Sequence, residues 1–337
     1  MSKTGYSFSS SRGGAESDLL SSLPLSRIDR EIVGHLQQDG RRTYVSIANE
    51  IGVTEKTVRA HTKVLLDQKI IQIIALTSPV ALGYQASALA AISIENPAMG
   101  TRILDELAQI KAIDYVVLTF SRFAIFAEII AQDLQELQAT IETQIGAIEG
   151  ITSIEIFPYF RLHYQQAQIV NTNLVVQDGV IDAQMGKADR AIVAELALDG
   201  RAAYSVVAER LGISESQVRM RTQHLLANRQ VKIMAIVNPL KLLDCTMSWV
   251  AINVGMDVQM SEVADALSSM PNISYVAICA GRFDIFVEVI CMSKAELLEI
   301  IETRIRLVHG VVRTEAFIYT NLHYKRLLPL DFRDLIK

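Results

Sequence analysis

Residues 26–66 of the chain read SRIDREIVGHLQQDGRRTYVSIANEIGVTEKTVRAHTKVLL, and residues 186–226 read GKADRAIVAELALDGRAAYSVVAERLGISESQVRMRTQHLL. Moved along by 160 residues, the first stretch meets the second without a gap. The same register continues to the end of each copy, where His163-Tyr164 meets His323-Tyr324. Because chance similarity does not hold one register over such a length, we interpret the chain as a tandem duplication of one module. Two copies are too few for a solenoid and indicate an internal pseudo-dimer.

Each quoted stretch predicts three short helices. In the first copy, Ser26 stands three residues before Asp29, which is the spacing of a capping box, and apolar residues follow at helical intervals. Gly40 and Gly52 are suited to the left-handed turns that end helices. The predicted helices begin near Ser26, Tyr44 and Thr54 and end near Asp39, Ile51 and Gln68, and the second copy repeats them with Ser214 as the cap of its third helix.

Three short helices with a glycine turn between the second and third describe a helix-turn-helix. The segments Ile70–Leu76 and Val231–Val237 that follow predict one strand of a small wing in each copy. The third helix carries donors on its polar side, which can reach phosphates or the acceptor edge of guanine in a major groove. The residues predicted to bind DNA are Arg41, Arg42, Lys56, Thr57, Arg59, His61 and Lys63 in the first copy and Arg201, Ser216, Gln217, Arg219, Arg221 and Gln223 in the second.

The distribution of charge agrees with this interpretation. Residues 25–72 carry 8 Lys or Arg against 6 Asp or Glu, and residues 185–232 carry 8 against 5. Residues 86–164 carry 4 against 10, so the acidity behind the net charge of −5 lies largely outside the helical part. Two mildly basic surfaces in one molecule can support DNA binding. The alternative is a three-helix bundle whose basic face is merely solvated.

The second half of each copy changes its period. Strand-like segments alternate with two helical ones in the order βαββαβ, which is a ferredoxin-like split unit with its helices on one face of the sheet. The other face is apolar and must be covered, and we expect the two copies to pair face to face to cover it. In the first copy the predicted segments are strands at Ala86–Ile94, Ile113–Phe120, Phe123–Ile130 and Ile151–Phe160 and helices at Met99–Gln109 and Leu134–Ile145, and the second copy repeats them from Met247 to Tyr319.

Several functional classes are disfavoured by the sequence. The longest apolar runs are far shorter than the roughly 20 residues of a membrane span, and no secretory signal opens the chain, so we expect a cytoplasmic protein without a membrane partner. Cys245, Cys279 and Cys291 fit no metal or redox spacing. The repeated His163 and His323 are more typical of a structural or interfacial position than of a general base. We therefore expect no enzyme, catalytic residue, metal or cofactor.

The pattern Asp29-Arg30, Leu36, Asp39-Gly40-Arg41, Ala48, Gly52, Val58-Arg59 and Leu65, followed by βαββαβ, closely resembles the Lrp/AsnC family. Regulators of this leucine-responsive or feast/famine family join a winged helix-turn-helix to a RAM domain. The resemblance covers nearly the whole chain twice. It implies an α+β fold in which a winged helix-turn-helix plus a ferredoxin-like RAM domain is present two times.

The resemblance also implies partners and a second kind of site. RAM domains of the family dimerise and often build larger rings, so we expect a homo-oligomer. They bind amino acids or related small molecules near the turn between the second and third strands of the domain. The residues that this implies for effector binding are Gly281, Arg282 and Asp284 in the second copy and, at the equivalent turn of the first copy, Ser121 and Arg122. Gly281 and Asp284 match the family's turn, whereas the first copy has Ser121 and Ala124 there.

Together these features predict a transcriptional regulator that binds double-stranded DNA at specific sequences. A small metabolite is expected to modulate this binding allosterically. The predicted division is a disordered tail (1–24), winged helix-turn-helix 1 (25–78), RAM domain 1 (84–164), linker (165–184), winged helix-turn-helix 2 (185–238), RAM domain 2 (244–324) and a C-terminal extension (325–337).

Two alternatives stay open. One is an enzyme similar to sirohaem decarboxylases, although their histidine-bearing segment is not matched by Thr-Phe-Ser-Arg-Phe-Ala at 119–124 or Cys-Ala-Gly-Arg-Phe-Asp at 279–284. The other is a metabolite sensor whose helix-turn-helix is vestigial.

Overall fold

The structure, a computed structural model, describes residues 25–164, 185–238, 245–325 and 327–335. The predicted disordered tail and the predicted linker lie outside the described residues, as do residues 326, 336 and 337 of the C-terminal extension. The α+β fold class is confirmed, with helical and β-rich segments in the predicted order in both copies.

Six helices form two three-helix units, one in each copy. The capping box predicted at Ser26 is present, since its hydroxyl accepts from the N–H of Asp29 at 3.1 Å and the Asp29 carboxylate accepts from the N–H of Ser26 at 3.0 Å. Gly52 ends the second helix at φ +72°, a left-handed value that favours glycine. The helices are α1 (Arg27–Gln38), α2 (Tyr44–Ile51) and α3 (Glu55–Asp67), with α6 (Lys187–Leu198), α7 (Tyr204–Leu211) and α8 (Glu215–Ala227) in the second copy.

The strand predicted after each three-helix unit is present, and its partner lies in the other copy. Strand β1 (Ile71–Leu76) pairs antiparallel with β6 (Lys232–Val237), so one two-stranded sheet joins the two units. The N–H of Gly40 donates to the carbonyl of Ile233 at 2.8 Å, and the N–H of Gly200 donates to Ile73 at 2.8 Å. We refer to these joined units, residues 25–76 and 185–237, as the paired heads. A pairing between positions so distant in the chain leaves no local sequence signal.

The two βαββαβ units close into one barrel. Each unit contributes four strands to it. The last strand of each unit is 14 residues long, and from Tyr159 in the first copy and Tyr319 in the second it pairs with the other copy. The elements of the first unit are β2 (Ala86–Ile94), α4 (Gly100–Gln109), β3 (Ile113–Thr119), β4 (Ile125–Ala131), α5 (Leu134–Ala139) and β5 (Ile151–Tyr164). Those of the second unit are β7 (Thr246–Val254), α9 (Met260–Ser268), β8 (Ile273–Cys279), β9 (Ile285–Cys291), α10 (Lys294–Thr303) and β10 (Val311–Tyr324). The strand order around the barrel is β10-β3-β4-β2-β5-β8-β9-β7.

Closure of the barrel covers the apolar sheet faces that the sequence left exposed. Four phenylalanines fill part of the interior, with ring centroids 4.7 Å apart for Phe126 and Phe317 and 5.0 Å apart for Phe157 and Phe286. All four are buried. The two copies do pair to cover these faces, as predicted, and they form one closed barrel because the long final strands also pair with the edges that separate sheets would leave free.

Candidate nucleic-acid interface and the cavity behind it

The third helices of the two units, α3 and α8, are the recognition helices of the predicted helix-turn-helix. Each buries one face and exposes the other. Val58, Thr62 and Leu65 of α3 are buried, as are Val218, Thr222 and Leu225 of α8. The opposite face of each helix is therefore open to a ligand. Of the residues predicted to bind DNA, those exposed on these helices are Lys56, Arg59, Lys63, Ser216, Gln217, Arg219 and Gln223.

Arg59 and Arg219 occupy matched surroundings. Arg59 forms an ion pair with Glu55 one turn earlier and lies 5.2 Å from the ring centroid of Tyr44. Arg219 pairs with Glu215 at 2.6 Å and lies 5.2 Å from the ring of Tyr204. Both arginine side chains remain more than half exposed, at 65% and 54%. Each can therefore exchange an exposed carboxylate partner for a phosphate at little cost.

His61 and Arg221 hold the recognition helices to the first helix of their unit. The Nδ1 atom of His61 lies 2.7 Å from Oδ1 of Asp29, and Arg221 donates to Oδ1 of Asp189 at 3.0 Å. Burial alone would raise the pKa of Asp29, but hydrogen bonds from Ser26 and His61 lower it overall. Both side chains are thus paired within the protein, and their contact with DNA stays a prediction.

Arg41 and Arg201 lie where the two heads meet. Arg41 donates to the carbonyl oxygens of Gly200 at 2.7 Å and Ala202 at 3.1 Å, and its guanidinium lies 4.2 Å from the ring of Tyr204. Arg201 makes the reciprocal set, to Gly40 at 2.8 Å and Arg42 at 3.1 Å, over the ring of Tyr44 at 4.4 Å. These donors join the paired heads, and a contact of either side chain with DNA stays a prediction.

Other residues predicted to bind DNA cap helices or form hydrogen bonds within their own three-helix unit. Arg42 donates to His35, Ser46 and Glu50 within its own unit. Gln217 completes a capping box, since its Oε1 accepts from the N–H of Ser214 at 3.0 Å. The cap of α3 is Thr54, whose hydroxyl accepts from the N–H of Thr57 at 3.1 Å.

The turn arginines of the barrel form ion pairs between the copies. Arg122 donates from two nitrogens to the carboxylate of Glu315, at 3.0 and 2.8 Å. Arg282 lies 3.1 Å from Glu155, which is the same pair with the copies exchanged. The two arginines predicted to bind an effector thus fasten each turn to the last strand of the other copy.

The two turns differ in backbone geometry. Gly281 has φ +135°, a left-handed value, and a Cβ added there would lie 3.0 Å from the ring of Phe157. The Oδ2 atom of Asp284 accepts from the N–H of Val254 at 2.9 Å, which caps the end of β7. In the first copy, the Ser121 hydroxyl donates to the carbonyl of Phe123 at 2.8 Å. Gly281 thus allows the left-handed backbone of its turn, and Asp284 joins that turn to the end of β7.

A cavity of about 230 Å³ lies between the paired heads and the barrel. It was not predicted from the sequence. Its walls are largely apolar, but it also contains Glu128 of β4 and Glu288 of β9, which are 4% and 8% exposed. The signal that could have revealed them is a glutamate in the middle of an otherwise apolar strand, IFAEIIA at 125–131, repeated as IFVEVIC at 285–291.

Hydroxyl groups from the opposite copy bind these glutamates. Tyr275 donates to Glu128, and Tyr115 donates to Glu288. Within the same copy, Tyr319 donates to Glu288 at 3.1 Å, and Ser274 donates to it as well. Burial raises the pKa of Glu128 to about 7, against the lowering by its hydrogen bond from Tyr275. Burial likewise raises the pKa of Glu288.

The cavity is less symmetric than the barrel around it. Asp114 of the first copy corresponds to Ser274 of the second, and Trp249 of the second corresponds to Leu89 of the first. Burial and repulsion from Glu128 raise the pKa of Asp114. The Oδ1 atom of Asp114 and the indole Nε1 of Trp249 are both buried and have no hydrogen-bond partner among the described residues.

Other kinds of site find little support in the described part of the chain. No group of three or more His, Cys, Asp or Glu side chains there could hold a metal ion. None of the described helices is long and apolar enough to cross a membrane. His323 lies 3.2 Å from Asp105 of the first copy, which is an interfacial position, and the side chain of His163 lies outside the described part.

Comparison with family models identifies both halves of the module. An AsnC-type helix-turn-helix domain matches residues 25–65 and again residues 185–226. A model described as a C-terminal dimeric alpha+beta barrel domain of AsnC-type regulators matches residues 246–327. The two helix-turn-helix matches fall in the two copies of the duplication.

Among solved structures, the siroheme decarboxylase NirDL in co-complex with an iron-uroporphyrin III analogue matches with a TM-score of 0.60 and 15% identity, covering 90% of this chain and 94% of that chain. At this identity the likeness concerns the fold. An uncharacterised HTH-type transcriptional regulator of Pyrococcus abyssi is 37% identical over 134 residues, which are 40% of this chain and 84% of the relative. The HTH-type transcriptional regulator LrpA of Pyrococcus horikoshii is 27% identical over 127 residues, 37% of this chain and 89% of the relative. The chain therefore belongs to the Lrp/AsnC family of HTH-type transcriptional regulators and carries the family's module twice.

Proposed function

We propose that the chain regulates transcription by binding one DNA duplex with two unequal recognition helices held in a fixed relation. The observation that carries this proposal is the reciprocal set of bonds from Arg41 and Arg201, which joins the two heads as a dimer interface would. A homodimer presents identical surfaces about its two-fold axis, whereas fused copies are free to differ. The proposed operator therefore has two half-sites of different sequence.

The exposed faces of α3 and α8 support a difference in sequence preference. At equivalent positions, Lys56 and Lys63 of α3 correspond to Ser216 and Gln223 of α8. A lysine contributes charge toward phosphate or guanine, whereas glutamine can donate and accept at adenine. Met220 of α8 is 61% exposed and can contact a thymine methyl group.

Common features of the two helices support shared contacts with the DNA backbone. Arg59 and Arg219 are equivalent, exposed and preoriented by the tyrosine beneath each. In helix-turn-helix dimers the recognition helices enter successive major grooves about 34–36 Å apart. The proposed half-sites are accordingly one helical turn apart on the same face of the duplex.

A small effector, an amino acid or similar metabolite, is proposed to modulate this binding through the barrel. The turn containing Gly281, Arg282 and Asp284 is the candidate of the second copy, and Ser121 and Arg122 mark the equivalent turn of the first. Both turns lie at the surface and contact the other copy through an arginine. An effector that bound one state of these contacts better than the other would shift the relation between the copies. Further chains assembling through the barrel would complete the proposed homo-oligomer.

Selection of bound genomic fragments by the full chain, with and without candidate amino acids, tests the proposal. Enriched fragments are expected to share two unlike half-sites. Exchange of Lys56→Ser with Ser216→Lys in one variant should alter the preferred base pairs in both half-sites. Retention of no fragment by the folded chain would contradict the proposal and favour a metabolite sensor with vestigial helix-turn-helix units.

An enzyme similar to NirDL is the second candidate, because that protein shares the fold over 90% of this chain. The cavity of about 230 Å³ lies below the roughly 300–1,000 Å³ of sites for drug-sized ligands, so it is small for a tetrapyrrole. A tetrapyrrole spectrum shifted by the protein on mixing with sirohaem would favour the enzyme over the regulator.

A further inference from the structure

We propose that the cavity between the paired heads and the barrel binds a small organic ammonium compound with an apolar body and a hydrogen-bond acceptor. This inference goes beyond the proposed function and does not rest on DNA binding. It concerns a location distinct from the barrel turns, since none of the turn residues lines the cavity.

The charge of the cavity selects a cation. Three carboxyl groups line it, those of Asp114, Glu128 and Glu288. Lys325 is the single Lys or Arg among its described lining residues, and its Nζ donates to the carbonyl of Ile110 at 2.8 Å. Buried carboxyl groups are costly unless they are paired or protonated. Glu128 and Glu288 accept hydrogen bonds from tyrosines of the chain, so Asp114 is the carboxyl group with which an ammonium group would pair.

Two unpartnered polar atoms indicate where the ligand would bind. Oδ1 of Asp114 has no partner among the described residues, and it is an acceptor suited to an ammonium N–H. Nε1 of Trp249, a residue that is 2% exposed, is a donor without an acceptor in the described part of the chain. Native proteins pair most buried polar atoms, so these two together mark a polar ligand. An ammonium group would pair with the carboxylate, and an acceptor on the same ligand with the indole.

The remaining lining sets the shape and size of the ligand. Ile74 of β1, Val193 of α6 and Ile236 of β6 form an apolar side toward the heads, and Met247 and Ile290 form one toward the barrel. A volume of about 230 Å³ is below the range of drug-sized ligands and fits a compact molecule. Because the walls come from both heads and both halves of the barrel, a bound molecule would bridge them.

Trp249 provides the readout, since it is the single tryptophan of the chain and lines the cavity. Leucinamide is the probe, because it combines an ammonium group, a carbonyl acceptor and an apolar side chain. Its matched control is 4-methylpentanamide, which has the same skeleton with hydrogen in place of the ammonium group. Leucine tests the added carboxylate, which three carboxyl groups should repel.

Titration of the full chain with leucinamide is expected to change Trp249 emission to saturation. The affinity for each of the other two probes should be lower by a factor of about ten or more. Asp114→Asn should weaken leucinamide binding by about tenfold, the expected effect of losing a charged hydrogen bond. Glu128→Gln should weaken it less, because Glu128 already accepts a hydrogen bond from Tyr275 and burial raises its pKa to about 7. Glu299→Gln, a substitution of an exposed carboxylate on α10, should leave the affinity unchanged.

Three results would overturn the proposal: no saturable change in emission below about 10 mM leucinamide, binding of 4-methylpentanamide or leucine as tight as that of leucinamide, or unchanged affinity in both Asp114→Asn and Glu128→Gln. Circular dichroism of each variant establishes that it is folded, and the two variants test the cavity separately. Because the readout uses no DNA, failure here is distinguishable from failure of the proposed regulatory function.

Discussion

Arg41 and Gly200, which belong to different copies of the module, are joined by a hydrogen bond of 2.7 Å from the guanidinium to the carbonyl oxygen. Arg201 and Gly40 repeat the bond at 2.8 Å in the opposite direction. Each arginine also lies over the tyrosine that supports the recognition-helix arginine of the other copy. The orientation of the two recognition helices is thus tied to a contact between the heads.

Replacement of Arg41 by alanine should therefore weaken the contact between the heads without removing a phosphate contact. Loss of the bonds to Gly200 and Ala202, both part-buried, should lower the free energy of unfolding by about 1–3 kcal/mol, measured by urea denaturation. DNA affinity should fall while the dependence of its logarithm on the logarithm of salt concentration keeps its slope. A flatter slope for Arg41→Ala would mean that this side chain contacts phosphate after all.

Replacement of Arg59 or Arg219 by alanine should have the opposite pattern. Each phosphate contact that is lost reduces the salt slope by about 0.9, so the double variant should lose close to 2. Stability should change little, since the pairs with Glu55 and Glu215 are exposed. Fluorescence anisotropy with labelled duplex at several salt concentrations measures both effects. Arg306→Ala, which removes an exposed arginine paired with Glu302 on the barrel, is the control and should preserve the slope.

Replacement of Gly281 by alanine should destabilise the turn of the second copy. Its φ of +135° is strained for any residue with a Cβ, and the added atom would lie 3.0 Å from the ring of Phe157. We expect a loss of about 1–3 kcal/mol in thermal or urea unfolding. Ser121→Ala at the equivalent turn is the comparison and should cost less, because no left-handed backbone occurs there. Equal losses in the two variants would contradict the role assigned to Gly281.

The buried Glu128 should make the stability of the chain fall as the pH rises toward neutrality. Burial raises the pKa of this carboxyl from 4.5 to about 7, so between these values the folded chain keeps a proton that the unfolded chain releases. The stabilisation is present in full below the unfolded pKa and is lost as the pH passes the folded one, with a slope of about 1.4 kcal/mol per pH unit for one proton. The free energy of unfolding of Glu128→Gln should consequently depend less on pH between about 5 and 7. Parallel curves for the variant and the natural chain from urea denaturation would contradict the assigned pKa.

Local sequence determined most of the secondary structure, and comparison of the two halves of the sequence showed the duplication. The capping residues Ser26 and Thr54, the turn at Gly52 and the apolar periodicities each act within a few residues, so the helices α1 to α3 lie where the sequence predicts them. The gapless register between the copies predicts the same elements twice. These features follow from short-range hydrogen bonding and from the period with which side chains alternate.

The tertiary structure alone decided which polar side chains remain available for function. Arg41 and Arg59 look alike in the sequence, yet one donates across the heads and the other stays exposed on a recognition helix. The glutamate in each apolar strand was visible as a residue, but the cavity that it faces forms only when strands from both copies close the barrel. Gly200, which accepts from Arg41, is 159 positions away along the chain, and Tyr275, which donates to Glu128, is 147 positions away. Their roles depend on long-range packing, which no local pattern in the sequence records.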